Sequence, residues 1–197
     1  MKIENVAVVN AKSLHELHTE WLGFISINNE IKNFLETKQD CGVRPYIEDD
    51  IKFKQLIPYM IFKYKDSIFL YNRGNGGNEK RLHDKYSIGI GGHLQFEEGK
   101  EIPMNIWGKR EFYEEVEYDG EFDPKVIGFI NDPNTIVGKV HLGIATLIEG
   151  TSSNIKVKSE IKHGELISIK ECYEKYYDKL EIWSQFCILE LIKNKDI

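Results

Sequence analysis

Two amphipathic stretches near the start of the chain predict helices. Ser13 and Glu16 form a capping-box pattern ahead of an apolar stripe, which marks the start of a helix. A second alternation of polar and apolar positions runs from 28 to 38. Because two short helices bury too little surface to fold alone, we expect residues 1–50 to be an N-terminal extension packed on a main domain of residues 51–197.

From residue 55 onward the pattern changes to runs that are dense in Ile, Phe, Tyr and Leu, which favour strands. The first two runs are separated only by Lys65 and Asp66, and this spacing predicts a β-hairpin. The third run ends on the glycine pair Gly91 and Gly92. Strands are predicted at 55–64, 67–73, 86–94, 125–132, 139–150 and 165–169.

Two longer stretches between and after these runs have helical spacing. Residues 99–118 carry charges and apolar side chains at that spacing, and residues 169–193 form one amphipathic helix. The sum is an α+β fold with a mixed sheet, one long helix after the third strand and another at the C-terminus.

Composition excludes several classes of protein. With 197 residues, 41% hydrophobic and 29% charged, the chain is neither fibrous nor disordered. A net charge of −6 disfavours duplex nucleic acid as a partner. Three separated cysteines without a Cys-x-x-Cys pair indicate a reducing compartment, and no apolar run reaches 18 residues, so we expect a soluble cytoplasmic protein without a membrane anchor.

The chemistry is concentrated in one acidic segment, Arg110 to Val116. On a helix, Glu111, Glu114 and Glu115 share one face because positions i, i+3 and i+4 lie within about 100° of each other. Three carboxylates this close repel each other unless a cation neutralises them. Such a face can also be plain solvated surface, but the glycine pair upstream lets backbone carbonyls approach an ion or a phosphate. Oxygen ligands of this kind suit Mg²⁺ or Mn²⁺.

These residues resemble the Nudix box, G-x5-E-x7-R-E-U-x-E-E-x-G-U with U apolar. Gly92-x5-Glu98 matches its first half, and the run from Arg110 to Glu115 matches its core. The resemblance implies a Nudix α/β/α sandwich and a metal-dependent hydrolase that cleaves a diphosphate, typically a nucleoside diphosphate linked to another group. The runs at 55–59, 81–93 and 139–143 look like the branch of predicted phosphoesterases in that family.

The same resemblance implies roles for individual residues. Glu111 and Glu115 would ligate the metal directly, and Glu114 would bind the metal or order its waters. Gly91 would offer its backbone carbonyl, and Arg110 would orient the loop by pairing with a carboxylate such as Glu98, which is also a candidate at the metal site. Glu114 and Glu115 are candidate catalytic carboxylates as well.

Three features depart from the Nudix pattern. The spacer between Glu98 and Arg110 has 11 residues where the family has seven, and Glu117 stands where the family has its late glycine. Gly91-x5-Glu97 also satisfies the first half of the box, so the leading glutamate is either Glu97 or Glu98.

Further candidates lie outside the box. The resemblance extends to a late acidic loop, where Glu160 or Glu165 would be a further metal ligand or the general base. Basic side chains near the expected cleft, and two histidines, are candidates for substrate binding: Arg73, Lys80, Arg81, His93 and His141.

Two other functions stay open beside hydrolysis of a small diphosphate or nucleotide. A catalytically inactive Nudix-fold module that senses a ligand or binds a protein is compatible with the altered spacer and the missing glycine. An isomerase of the isopentenyl diphosphate type also resembles Nudix folds, although no cysteine lies near the box. The N-terminal extension and the C-terminal helix could both serve a homodimer interface.

Overall fold

The computed structural model describes residues 4–72, 85–97, 103–158 and 163–194. The helices of this part of the chain are α1 (Ala11–Leu17), α2 (Asn29–Thr37), α3 (Arg44–Ile47), α4 (Lys109–Glu115), α5 (Ile136–Val140), α6 (Ile169–Tyr176) and α7 (Ile182–Lys193). Its strands are β1 (Asn5–Asn10), β2 (Gly23–Ser26), β3 (Asp40–Val43), β4 (Phe53–Tyr64), β5 (Ser67–Asn72), β6 (Tyr86–Ser87), β7 (Gly89–Gly91), β8 (Val116–Tyr118), β9 (Phe122–Asn131), β10 (His141–Gly150), β11 (Ile155–Val157) and β12 (His163–Ser168).

The fold is α+β, a mixed sheet with helices, as the sequence predicts. The main sheet follows the order β12-β5-β4-β10-β9-β2, with β1 and β7 pairing with β4, β3 with β1, and β6 with β5. A second sheet consists of β8 and β11. The predicted hairpin is confirmed, since Tyr64 of β4 pairs with Ser67 of β5. In the described residues, no helix is both long and apolar enough to cross a membrane.

Residue contacts divide the chain into two compact units, and three long strands, β4, β9 and β10, contribute residues to both. The first unit consists of Met1–Tyr59, Gly92–Gly108 and Val126–Ala145. The second consists of Met60–Gly91, Lys109–Lys125 and Thr146–Ile197. The N-terminal 50 residues therefore share a unit with segments from later in the chain, and the proposed boundary after residue 50 stays a prediction.

The N-terminal segment contains the two predicted helices. The first begins three residues earlier than the capping box suggests, because Asn10 and not Ser13 is the N-cap: the side chain of Asn10 accepts a hydrogen bond from the backbone N–H of Ser13 at 3.0 Å. The second is capped in the same way by Asn28. The segment also contains strands β1, β2 and β3 and the short helix α3, which the helical pattern did not predict.

Each unit has its own apolar core. In the first, α1 and α2 pack Leu14, Ile31 and Leu35 against Phe129 and Leu142 of the sheet. In the second, the core is formed by side chains of β4, β5, β7, β10, β11, α4 and β8, namely Met60, Phe62, Phe69, Tyr71, Ile90, Ile148, Ile155, Phe112 and Val116. The second core supports the acidic segment.

Two helix predictions need correction. Within the described residues 103–118, the long helix expected over 99–118 is a 3-10 turn at Met104–Ile106 and the seven-residue α4, which passes directly into β8 at Val116. Val116 and Tyr118 pack on the second core, so this end of the segment is a strand paired with β11. The single helix expected over 169–193 is two helices, because Glu181 begins α7 as its N-cap.

Candidate active site

Helix α4 carries all three glutamates of the acidic segment. The side chain of Glu111 is 17% exposed, whereas the side chain of Glu114 is 55% exposed. Glu115, the last residue of the helix, is partly buried. The helical geometry places the three carboxylates on one face, as expected from their spacing.

Apolar contacts on the other side of α4 fix this orientation. Phe112 is fully buried, with its ring centroid 6.1 Å from that of Phe62 and 5.2 Å from that of Phe122. Val116, directly after the helix, is also fully buried in the same core. Because a seven-residue helix is not stable in isolation, these contacts hold the carboxylates in place.

Arg110 neutralises part of the negative charge. Its Nη1 atom donates to both carboxylate oxygens of Glu114 at 2.8 Å, and its Nη2 atom donates to Oε1 of Glu111. A guanidinium group that binds two carboxylates in this way reduces their mutual repulsion. The expected pairing with Glu98 lies outside the described residues. Arg110 is therefore an internal counter-ion for two of the three candidate metal ligands.

One residue of the glycine pair, Gly91, ends a strand that contacts this helix. Strand β7, which ends at Gly91, contacts α4 within the second unit. This contact brings the backbone of Gly91 to the same region of the unit as the glutamates, as the resemblance implies. Gly92 belongs to the first unit.

The donor set of α4 suits a hard divalent cation. Carboxylate and carbonyl oxygens are the ligands that Mg²⁺ and Mn²⁺ prefer. Within the described residues, however, no group of three or more His, Cys, Asp or Glu side chains is arranged to hold a metal ion. Because Arg110 forms salt bridges with Glu111 and Glu114, an ion at these carboxylates would have to displace the guanidinium or share the carboxylates with it.

The two candidate histidines of the first unit are in direct contact. The Nε2 atoms of His93 and His141 are 3.2 Å apart, and Nδ1 of His141 lies 2.7 Å from the carbonyl oxygen of Val137. Because a carbonyl only accepts, Nδ1 of His141 carries a proton, and Nε2 of His93 donates to the bare Nε2 of a neutral His141. No local sequence pattern pairs these two residues.

Both imidazoles are held in the neutral form. Burial, followed by the charge of Arg44 and the contact with His141, lowers the pKa of His93 to about 3. Burial is also the main cause that lowers the pKa of His141. At pH 7 His93 is therefore a neutral hydrogen-bonding group, and it does not supply a positive charge for a phosphate.

Glu165 lies on the other face of the sheet from α4. Its neighbour on β12, Leu166, packs on the core that contains Phe112, and successive strand residues point to opposite faces. Burial and the nearby charge of Glu165 raise the pKa of Tyr176, on α6. The structure therefore does not bring Glu165 together with the three glutamates. Five other candidates lie outside the described residues, namely Arg73, Lys80, Arg81, Glu98 and Glu160.

A groove of about 340 Å³ lies against the C-terminal end of α4. It is lined by aromatic, acidic and basic side chains: Tyr113, Val116, Glu117, Tyr118, Asp119, Asn154, Lys156 and Lys158. Sequence reasoning missed Lys158, whose backbone N–H donates to the carbonyl oxygen of Glu115 at 2.9 Å. No motif links these two residues, because they are distant along the chain.

Comparison with known proteins defines the class. No protein-family model matches the chain. The crystal structure of Tm1382, a protein assigned to the Nudix hydrolases, superposes with a TM-score of 0.79 at 30% identity, covering 96% of this chain and 99% of that one. The MutT protein from Methanosarcina mazei Go1 shares the fold, with a TM-score of 0.52 at 14% identity over 73% of this chain and 96% of that one.

A curated relative is more similar in sequence. Protein YmaB of Bacillus subtilis (strain 168) is 38% identical in an alignment of 152 residues, and the match covers 72% of this chain and 72% of YmaB. The chain belongs to the Nudix hydrolase family. Nudix hydrolases generally use divalent metal ions, and the structural neighbours support a pyrophosphohydrolase-type function in general.

Proposed function

We propose that the protein is a Mg²⁺- or Mn²⁺-dependent hydrolase that cleaves the diphosphate bond of a small molecule, such as a nucleoside diphosphate linked to another group. The observation that carries this proposal is the set of three glutamates on α4, whose opposite face is anchored by Phe112. Like charges at these spacings repel one another, and a divalent cation would relieve that repulsion beyond what the ion pairs of Arg110 with Glu111 and Glu114 provide.

Glu111 and Glu115 would hold the ion directly, with Glu114 on the ion or on its waters and the carbonyl of Gly91 as a further oxygen ligand. When bound, the ion neutralises diphosphate charge, polarises the phosphorus and lowers the pKa of a bound water. The guanidinium of Arg110 would share Glu111 and Glu114 with a bound ion or give them up to it. Without the ion, these ion pairs stabilise the acidic face of α4.

A carboxylate of α4 takes the proton from the attacking water in this proposal. Glu114 is the more accessible of the two catalytic candidates, with 55% of its side chain exposed. We do not assign Glu165 as the general base, because it lies on the opposite face of the sheet from α4. The roles of Glu160 in catalysis and of Arg73, Lys80 and Arg81 at the phosphates remain predictions.

Among the candidates for substrate binding, His93 and His141 lie within the residues that the structure describes. His93 keeps one ring nitrogen, Nδ1, as an acceptor, since its Nε2 proton is donated to His141. This arrangement favours a donor group of the substrate, such as a hydroxyl or an amine, over an unprotonated phosphate oxygen. Their substrate role remains a proposal.

The experiment is a screen of diphosphate compounds with Mg²⁺, scored by release of phosphate or nucleotide. Once a substrate is found, Glu115→Gln and Glu111→Gln are expected to abolish turnover while the far-ultraviolet circular dichroism stays unchanged, because an amide is a much poorer ligand for a hard cation. The matched control is Glu117→Gln, an exposed glutamate on β8 just beyond the helix. Full turnover in both α4 variants would refute the site.

A second candidate function is a Nudix-fold module that binds a ligand without cleaving it. The 11-residue spacer and Glu117 in place of the late glycine favour it. A metal-dependent enzyme gains stability from millimolar Mg²⁺, because an ion bound only by the native state shifts the unfolding equilibrium. An unchanged melting temperature, together with binding of diphosphates and no product, would favour the module.

A further inference from the structure

The C-terminal end of α4 has an unusual connection. Helix α4 ends at Glu115 and the chain enters strand β8 at the next residue, Val116. The last carbonyl groups of a helix lack partners within the helix, and a glycine just beyond the end commonly helps to satisfy them. This chain has Glu117 where the Nudix pattern has a glycine. The carbonyls must therefore be satisfied in another way.

The residue that directly follows strand β11 supplies these partners. The register of β11 with β8 pairs Val157 with Val116, so the next residue, Lys158, lies opposite Glu115. The backbone N–H of Lys158 donates to the carbonyl oxygen of Glu115 at 2.9 Å, and its ammonium group donates to the carbonyl oxygen of Tyr113. One residue thus caps two carbonyls of the last helical turn.

The charge of Lys158 adds to the effect of its hydrogen bonds. A cation near the C-terminus of a helix interacts favourably with the helix dipole. Because Glu115 is the last residue of α4, its main chain would fray first without a cap. The contact therefore fixes the backbone that carries a candidate metal ligand.

We infer that Lys158 is a positioning residue, which caps the end of α4 where a glycine is absent and holds the backbone of Glu115 in place for the metal ion. The inference rests on the proposed function, because it assigns Lys158 a role in metal binding. Lys158 acts through the main chain of α4 and does not itself touch the ion.

The test is a titration of the full-length protein with Mn²⁺ alone, followed by electron paramagnetic resonance. Lys158→Met keeps the aliphatic stem and the backbone N–H bond to Glu115 but removes the ammonium group that caps the carbonyl of Tyr113 and faces the helix dipole, and it is expected to weaken Mn²⁺ binding about tenfold because the last turn is less well held. Lys158→Arg keeps a cationic donor and is expected to restore most of the affinity. Lys156→Met is the matched control, since Lys156 lies two residues earlier on β11, opposite Glu117, and its affinity is expected to equal that of the wild type.

A second control separates positioning from general stability. Ile188→Val, in the buried part of α7 and outside the core that contains Phe112 and Val116, lowers the stability of the same unit, and it is expected to leave Mn²⁺ affinity unchanged. Equal Mn²⁺ affinity in the wild type and Lys158→Met would overturn the inference and leave the proposed function intact. Absence of Mn²⁺ binding by the wild type would overturn both. Equal weakening by Lys158→Met and Lys158→Arg would also overturn the inference.

Discussion

Phe112 is expected to be the main anchor of the acidic helix. Its side chain is fully buried and lies among Phe62, Tyr118 and Phe122, with ring centroids 5.2–6.3 Å away. Replacing a buried phenylalanine with alanine removes the transfer free energy of the ring and leaves a cavity, at a cost of about 3–5 kcal/mol. Since domains are commonly stable by about 5–15 kcal/mol, Phe112→Ala should fold but with much reduced stability.

The assay is urea unfolding of the wild type and of Phe112→Ala, with and without Mg²⁺. The variant should unfold at lower urea concentration, and its stabilisation by Mg²⁺ should be smaller, because α4 is less well held. Tyr113→Ala is the control, since Tyr113 is the next residue of the helix and its side chain is partly exposed. If Phe112→Ala lowers the free energy of unfolding by only about 1 kcal/mol, a typical cost for a point mutation, the ring of Phe112 is not the main anchor of α4.

Two further predictions concern buried polar groups. Burial lowers the pKa of Lys54 to about 8, so between pH 8 and 10.5 the unfolded chain binds more protons than the native one. The free energy of unfolding of the wild type should therefore rise by about 3 kcal/mol relative to that of Lys54→Met over this range. A difference between the two proteins in urea unfolding that does not change with pH would contradict this prediction. Glu181 is the buried N-cap of α7 and accepts hydrogen bonds from the backbone N–H groups of Trp183 and Ser184. Glu181→Ala should therefore lower the free energy of unfolding by about 1–2 kcal/mol. A melting temperature equal to that of the wild type would contradict the role of Glu181 as the cap.

The acidic site was predictable because it depends on local geometry. The spacing of Glu111, Glu114 and Glu115 fixes their common face once the segment is helical, whatever the rest of the fold. The length of the helix was not predictable in this way. Val116 and Tyr118 leave the helix because they pair with β11, a strand that lies much later in the chain.

Contacts between distant residues explain the other differences. His93 and His141 were singled out separately, and only the folded first unit brings their Nε2 atoms to 3.2 Å. Lys158 has no local signal, since its partners on α4 are reached through the register of β8 and β11. Strands β1 to β3 were missed because the helical signals of α1 and α2 dominate that segment.

Anomalous diffraction from a crystal soaked in millimolar Mn²⁺ would show whether α4 is a metal centre. We expect an anomalous peak within about 2.5 Å of carboxylate oxygens of both Glu111 and Glu115, with the Arg110 side chain moved away from at least one of its two partners. An empty α4 at that concentration, or a peak only at another place such as the histidine pair, would contradict the assignment of this helix as the catalytic metal site.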